Sequence, residues 1–537
     1  MTERIPEVRS TIDEVIDSND HVLSSFVIAA FSVTTGVLVA VFFADQLVKR
    51  LNGQLVIKPG KKILIMQPDA VDGKHDGNNH LTKARIISKH QSHEQVRREM
   101  IIPYQQRSCR NRKDWTTLPT STHAANTINP IRRIVDAVSV APNPDKSLIK
   151  LHLGDPTLTG ALPPSQVAVD ALVEAVKSHK NDGYGPAVGT QAAREAVATR
   201  YTHPEAPISA DDVILASGCS HALQMAIEGI ANPGDNILIP QPGFPLYSTL
   251  CRPHGIEDRT YKIDMTNGGQ IDLEHLETLI DDRTRALIVN NPGNPTGVVF
   301  SKEHLEDILA LACRHRLVVI ADEIYGDLTY DGAVFHPIAT LSPKVPIITC
   351  DGIAKRWMVP GWRLGWLIVH DRFRVLSDVR KGLVALSQKI VGPCSLVQGA
   401  LPKILKDTPE EYFEHNRRVI SRNAAIVHKT LEHLDGIKCL KPHGAMYMMI
   451  GIEKSLYGDD IQFVSNLIKE ESVFCLPGSA FSAPGWIRLV ITHTEEITED
   501  AASRIRLFCE RCLINADLVD VDESSDEGCD ISNSESF

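Results

Sequence analysis

Lys355 sits in the run TCDGIAKRWMVPGWRLGW, Thr349 to Trp366, with small residues before it and Pro360 and Gly361 breaking any helix after it. Arg363 follows eight positions later. By itself Lys355 could be an ordinary surface lysine. Two upstream segments change that. NNPGNPTG, Asn290 to Gly297, follows the apolar run Ala286 to Val289, and ADEIYGDL, Ala321 to Leu328, follows Leu317 to Ile320. Both place polar groups just past the end of a buried parallel strand, where open α/β sheets bind ligands. Asn294, Asp322, Tyr325, Lys355 and Arg363 would then converge on one crevice. The set suits pyridoxal 5'-phosphate: a lysine to hold its aldehyde carbon, an acid for the pyridinium nitrogen, a phenol by the ring oxygen and an arginine for phosphate.

These motifs resemble the fold-type I pyridoxal-phosphate-dependent aminotransferases. AKRWMVPGWRLGW and GPCSLVQGAL, with the arm-like NTINPIRRIVD and the glycine turn LHLGDPT, resemble the tyrosine-specific members in particular. The resemblance implies an α/β fold. Its large domain, about 170–375, has a mostly parallel sheet flanked by helices, and a smaller α+β domain comes from 126–169 and 376–512. It implies transamination of an aromatic amino acid, tyrosine with 2-oxoglutarate foremost. A carbon–sulfur lyase and an alanine or kynurenine aminotransferase keep the same cofactor and stay open. So does an inactive, membrane-tethered homologue.

Roles carried over by motif are these. Lys355 is the covalent attachment point and proton carrier, Asp322 the partner of the ring nitrogen, and Tyr325 and Asn294 the neighbours of the ring oxygen. Phe244 stacks on the ring, with plain packing as its competitor. Ser217, Gly218 and Cys219, a small-residue turn between a strand and a helix, hold phosphate with Arg363. Arg488, in the strand-like WIRLVIT, takes the substrate carboxylate as a fork, with Gly154 and Asn294 beside it. Tyr184 is expected to reach the phosphate of a second subunit, which implies a homodimer with shared sites. Family members often carry a hydroxyl three positions before the lysine; here that position is Gly352.

The elements that must position these groups alternate. Strand-like runs at Asp212 to Ala216 and Asn236 to Ile239 and the two already named are interleaved with helical patterns such as Lys302 to Arg314, the signature of a parallel sheet covered on both faces. GYGPAVG has the wrong spacing for a dinucleotide fingerprint and follows no strand. Helical patterns at Arg374 to Ser387 and Glu410 to Leu434 lead into the smaller domain.

The remainder bounds the rest of the chain. A chain of 537 residues with 43% hydrophobic and 23% charged residues has the composition of a globular enzyme, and a net charge of −11 argues against nucleic-acid partners. Eleven cysteines lack framework spacing, and the one close pair, Cys509 and Cys512, has no second pair to complete a zinc site, so no metal is expected and reduced thiols are. An acidic segment, 1–21, precedes 23 uncharged residues from Val22 to Ala44, long enough for a transmembrane helix. Lys49, Arg50, Lys58, Lys61 and Lys62 follow it, which would leave the catalytic body, 121–512, on the cytoplasmic side of the membrane. A basic linker, 45–120, and an acidic tail, 513–537, are expected to be disordered.

Overall fold

The computed structural model describes residues 117–137, 140–341 and 344–526, together with five short strands nearer the N-terminus. Two compact units result, Met1–Leu118 and Pro119–Phe537.

In the first unit the sequence expectations need correction. Within Val22 to Ala44 the described backbone is extended: Ile28–Ser32 and Leu38–Phe42 pair antiparallel, Ile28 opposite Phe42. The other residues of that segment lie outside the described ones. No helix among the described residues is long and apolar enough to cross a membrane. The physical reason is composition. An apolar run satisfies a length criterion whatever its propensity, but this one is rich in valine, threonine and phenylalanine, which favour strands, and Gly36 lies between the two strands. The linker also holds structure: Leu55–Ile57, Ile63–Met66 and Arg85–Ile87 form a three-stranded antiparallel sheet. Pro59-Gly60 between two β-branched runs was the hairpin signal there.

The second unit is built on an eight-stranded sheet. Its strands are β1 (Val213–Ala216), β2 (Asn236–Gln241), β3 (Glu257–Asp264), β4 (Gln270–Ile271), β5 (Thr284–Asn290), β6 (Val318–Asp322), β7 (Ile347–Gly352) and β8 (Gly365–His370). Their order across the sheet is β4-β3-β2-β5-β6-β7-β8-β1. The run from β3 to β7 is parallel, while β8 lies antiparallel to both β7 and β1. Strands β1, β5 and β7 are buried along almost their whole length, as strands of a sheet covered on both faces must be. Ile288, Ile320 and Ile348 face one core with the helix Cys219–Ile230. Leu287, Val319 and Ile347 face a second with the helix Lys302–Arg314, whose ends match the sequence reading.

A second, antiparallel sheet contains β9 (Ile437–Leu440), β10 (Tyr447–Ile452), β11 (Leu476–Pro477) and β12 (Trp486–Val490), in the order β9-β10-β12-β11. The helix Glu410–Leu431 packs its buried side, Ile420, Ala424, Val427 and Leu431, into the core this sheet shares with the first. The final helix runs from Glu495 to Asp526, so the acidic tail is helical over its first part, against expectation. Extending a nucleated helix is cheap, and neither proline nor glycine interrupts the chain before Gly528. Residues 527–537 lie outside the described ones.

Candidate active site

Strand register brings the polar groups together. Asn290 at the end of β5 is level with Asp322 at the end of β6, and Asp322 is level with Cys350 in β7. The segments leaving the first two strands, Asn291–Gly297 and Glu323–Leu328, therefore start at the same height, and β7 runs two residues further before releasing Ile353–Lys355. The antiparallel β8 then returns Gly365 to a position opposite both Gly352 of β7 and Ala216 of β1, which carries Arg363 to the Ser217–Gly218 turn. All of this borders a cavity of about 280 Å³.

Lys355 projects into that cavity and donates from Nζ to the Gly154 carbonyl at 2.5 Å. Its ammonium lies 6.0 Å from the centre of the Tyr325 ring. Asp322 is 3% exposed, and burial pushes its carboxyl up to about 6. Three donors oppose that shift by favouring the charged form: Tyr247 Oη at 2.7 Å from Oδ2, and the Cys219 thiol at 3.6 Å and the Ile324 amide at 3.4 Å from Oδ1. The Tyr325 and Tyr447 hydroxyls share a hydrogen bond of 2.7 Å, and burial raises Tyr325 well above the usual phenol range.

At the opposite end Gly218 caps the helix Cys219–Ile230 with φ 81° and no side-chain hydrogen bond caps it. A Cβ at Gly218 would lie 2.5 Å from the Arg363 guanidinium, so only glycine lets the turn and the arginine approach. Arg363 is itself left-handed (φ 50°) and donates to the Pro360 and Ser217 carbonyls at 2.9 and 3.2 Å. The free amides of a helix start and a guanidinium together make an anion site. A hydroxyl at position 352 has no room: a Cβ there would stand 2.7 Å from the Leu364 carbonyl and 2.8 Å from Gly365 Cα.

Arg488 is 2% exposed on β12 and has no carboxylate partner among the described residues. It donates to Asn294 Oδ1 at 2.9 Å and to the His152 carbonyl at 2.8 Å, and its Nε has no partner. Tyr447 and Phe481 cover its two faces at 4.3 and 4.5 Å. Burial lowers its pKa. A buried guanidinium with spare donors is costly unless an anion joins it.

The structure thus gathers Gly154, Cys219, Phe244, Asn294, Asp322, Tyr325, Lys355, Arg363 and Arg488 around one cavity. Ser217 and Gly218 adjoin it through Arg363. Tyr184 is elsewhere, 95% exposed on the surface of the chain.

Sequence reading missed several neighbours. Tyr247 closes the run PQPGFPLY, Pro240 to Tyr247, and nothing local marks its hydroxyl as the partner of Asp322. Tyr447 closes the equally plain run GAMY, Gly444 to Tyr447. His152, in the turn LHLGDPT, is stacked on Phe474 at 3.9 Å, and burial lowers its pKa to about 4, so it is neutral. Asn129, Ile131 and Arg132 reach the cavity from the start of the helix Pro130–Ala137. That helix docks through Ile131, Ile134 and Val135 on Leu476, Ala480 and Phe481. The i, i+3, i+4 spacing of those three residues was its signal.

Pyridoxal 5'-phosphate fits these residues. The uncapped helix start and Arg363 form the anionic end, the buried Asp322 and the Tyr325–Tyr447 pair border the middle, and Lys355 stands between them. The orphaned Nε of Arg488 awaits a further anion.

Comparison with known proteins agrees with this geometry. The model of the family described as aminotransferase class I and II matches residues 146–505. A tyrosine aminotransferase of Caenorhabditis elegans is 64% identical over 428 residues, 79% of this chain and 92% of that protein. The Homo sapiens tyrosine aminotransferase is 47% identical over 420 residues, 78% of this chain and 91% of that protein. Among solved structures, the tyrosine aminotransferase of Leishmania infantum superposes with a TM-score of 0.71 at 32% identity, covering 74% of this chain and 99% of that one. With its sheet register, its cavity and most of its length in agreement, the chain belongs to the class I and II aminotransferases.

Proposed function

We propose that this chain moves an amino group between an aromatic L-amino acid, tyrosine foremost, and 2-oxoglutarate, giving 4-hydroxyphenylpyruvate and glutamate. The observation that carries this reading is Arg488: buried, short of one hydrogen-bond partner and facing the cavity of Lys355 without a counter-ion. Its fork suits the α-carboxylate that every amino acid and 2-oxo acid shares. The choice of tyrosine rests on the names of relatives at 64% and 47% identity. The apolar wall of Ile131, Leu153, Leu223 and Ile324 suits an aromatic ring. Arg132, lining the cavity with no carboxylate partner among the described residues, suits the distal carboxylate of 2-oxoglutarate.

Bound here, pyridoxal phosphate supplies a conjugated ring that spreads negative charge from the substrate α-carbon. The chain's residues do the remainder. Lys355 would anchor the aldehyde carbon and, once displaced by the incoming amine, would take the proton from the substrate α-carbon and return it to the cofactor's aldehyde carbon. Asp322, kept ionised by Tyr247, Cys219 and the Ile324 amide, holds a proton on the ring nitrogen. Tyr325 and Asn294 flank the ring oxygen, Phe244 covers one ring face, and the Ser217-Gly218-Cys219 turn with Arg363 holds phosphate. Tyr184, exposed in one chain, belongs to the site of a second chain in a homodimer. The two sheets correspond to a large domain of about 170–375 and a small one from 126–169 and 376–512.

The test is product analysis with purified protein and tyrosine. Formation of 4-hydroxyphenylpyruvate that depends on 2-oxoglutarate, with one glutamate per turnover, is expected. Release of ammonia and pyruvate from cysteine conjugates without any oxo acid would favour the lyase. Preference for alanine or kynurenine would move the substrate, and no turnover with any amino acid would favour an inactive homologue.

A further inference from the structure

A second cavity, of about 460 Å³, opens on the other side of the lysine-bearing segment. It lies between the end of the helix Gln191–Tyr201, the segment Asp327–Phe335 and the first turns of the helix Glu410–Leu431. None of the groups assigned above to catalysis borders it.

Its charges are unequally committed. Arg417 is paired with Glu410 at 2.6 Å. Arg356 is bound to Asp351 and, at 3.1 Å, to Asp327. Arg200, by contrast, is solvent-exposed and has no carboxylate partner among the described residues. Its guanidinium rests against Trp357 at 5.2 Å and Phe413 at 5.9 Å, which fixes its position and leaves its charge unneutralised. Two further groups in the wall are buried with hydrogen-bonding capacity unused. Asn416 is 1% exposed and neither amide atom has a partner in hydrogen-bond geometry, its nearest polar neighbour being the Tyr412 hydroxyl, which donates to the Pro163 carbonyl. Arg356, 3% exposed, has an unpartnered Nε. Buried polar groups are nearly always satisfied, and those that are not call for an explanation. Two of them in the wall of one cavity share one. Leu328, Val334, Phe335 and Phe413 supply apolar wall beside them.

We propose that this cavity is a second binding site, taking a small carboxylate with an apolar body. Arg200 receives the carboxylate, the Asn416 amide in the same wall offers a polar contact, and the apolar wall covers the hydrocarbon part. A planar carboxylate matches the edge of a guanidinium that aromatic rings hold from one side. The site bears on the reactive centre through one residue. Arg356 directly follows Lys355 and ties Asp351, four residues before that lysine, to Asp327, two residues after Tyr325. A ligand that draws on Arg356 or Asp327 therefore acts on both segments that carry the chemistry.

The test uses the full-length holoenzyme and 3-phenylpropionate, a carboxylate with neither an amino nor an oxo group to react. Calorimetric titration of the parent should give two sites per chain, one of them seen separately as competitive inhibition of turnover. Arg200→Gln should abolish the other site, weakening it at least tenfold, and leave KM for the amino acid and the competitive inhibition constant within twofold. Val334→Trp, at a residue 62% exposed, should block the same site by bulk without touching a polar group, so a folding defect at Arg200 cannot imitate the result. A single site per chain in the parent, or a second site that both variants leave intact, overturns the proposal.

Discussion

Asp322 is ionised at neutral pH against the pull of its surroundings, and Tyr247 is the strongest of the groups that keep it so. A hydrogen bond to a charged partner contributes about 1.5–3 kcal/mol, equivalent to roughly one to two pH units of carboxyl ionisation. Tyr247→Phe removes the 2.7 Å donor and keeps the ring. Since the lost bond favoured the charged form, the carboxyl pKa rises. The acid limb of kcat should move to higher pH by about that amount, with KM for the amino acid little changed, as a pH–rate profile will read. Lys355→Ala should abolish turnover while still admitting cofactor. Borohydride reduction of the parent and peptide mapping should label Lys355, and a label on any other lysine contradicts the assignment.

Elements decide what a residue can be. Glu323, next to Asp322, points away from the cavity, accepts from the Ile338 amide at 2.8 Å, and is pushed by burial up to about 8 from its ordinary 4.5. Between those two values the unfolded chain has released this proton and the folded chain has kept it. Stability contributed here is complete below pH 4.5 and is lost as pH rises towards 8. Glu323→Gln keeps an oxygen for Ile338 and has no proton to lose. Its melting temperature should gain on the parent steadily from acid to pH 8.5, which thermal denaturation across that range will show; a constant difference would mean that Glu323 does not titrate in this way. The same scale explains what could be read beforehand. Lys355, Asp322 and Arg363 were legible because each lies at or beyond the end of a strand, in a segment where glycine or proline marks the break. Tyr247 and Tyr447 were not, because their hydroxyls matter only through contacts 75 and 122 residues away. The Val22 to Ala44 segment was misread because apolar length was weighed without β-branched content.

At the scale of the whole molecule, every residue lining the first cavity lies at Asn129 or later. A chain beginning at Pro119 should therefore keep full activity. One beginning at Ala141 loses Asn129, Ile131 and Arg132 from the cavity wall, and with them the apolar cover over Phe481. Its KM for both substrates should rise at least tenfold while cofactor is retained, as steady-state kinetics and the absorbance of bound cofactor will show. Equal KM values for the two chains would remove the arm from the site.

The paired glycines Gly352 and Gly365 close a loop, 353–364, that carries both Lys355 and Arg363. Met358 anchors that loop in the core on one side of the sheet, and Ile353, Trp357, Val359 and Leu364 anchor it on the other. The covalent hold on the cofactor and the hold on its phosphate are thus parts of one rigid body. Neither can swing aside while the other stays. Cofactor exchange in this protein then has the kinetics of a local melting event, steeply dependent on temperature, and not those of a hinged door.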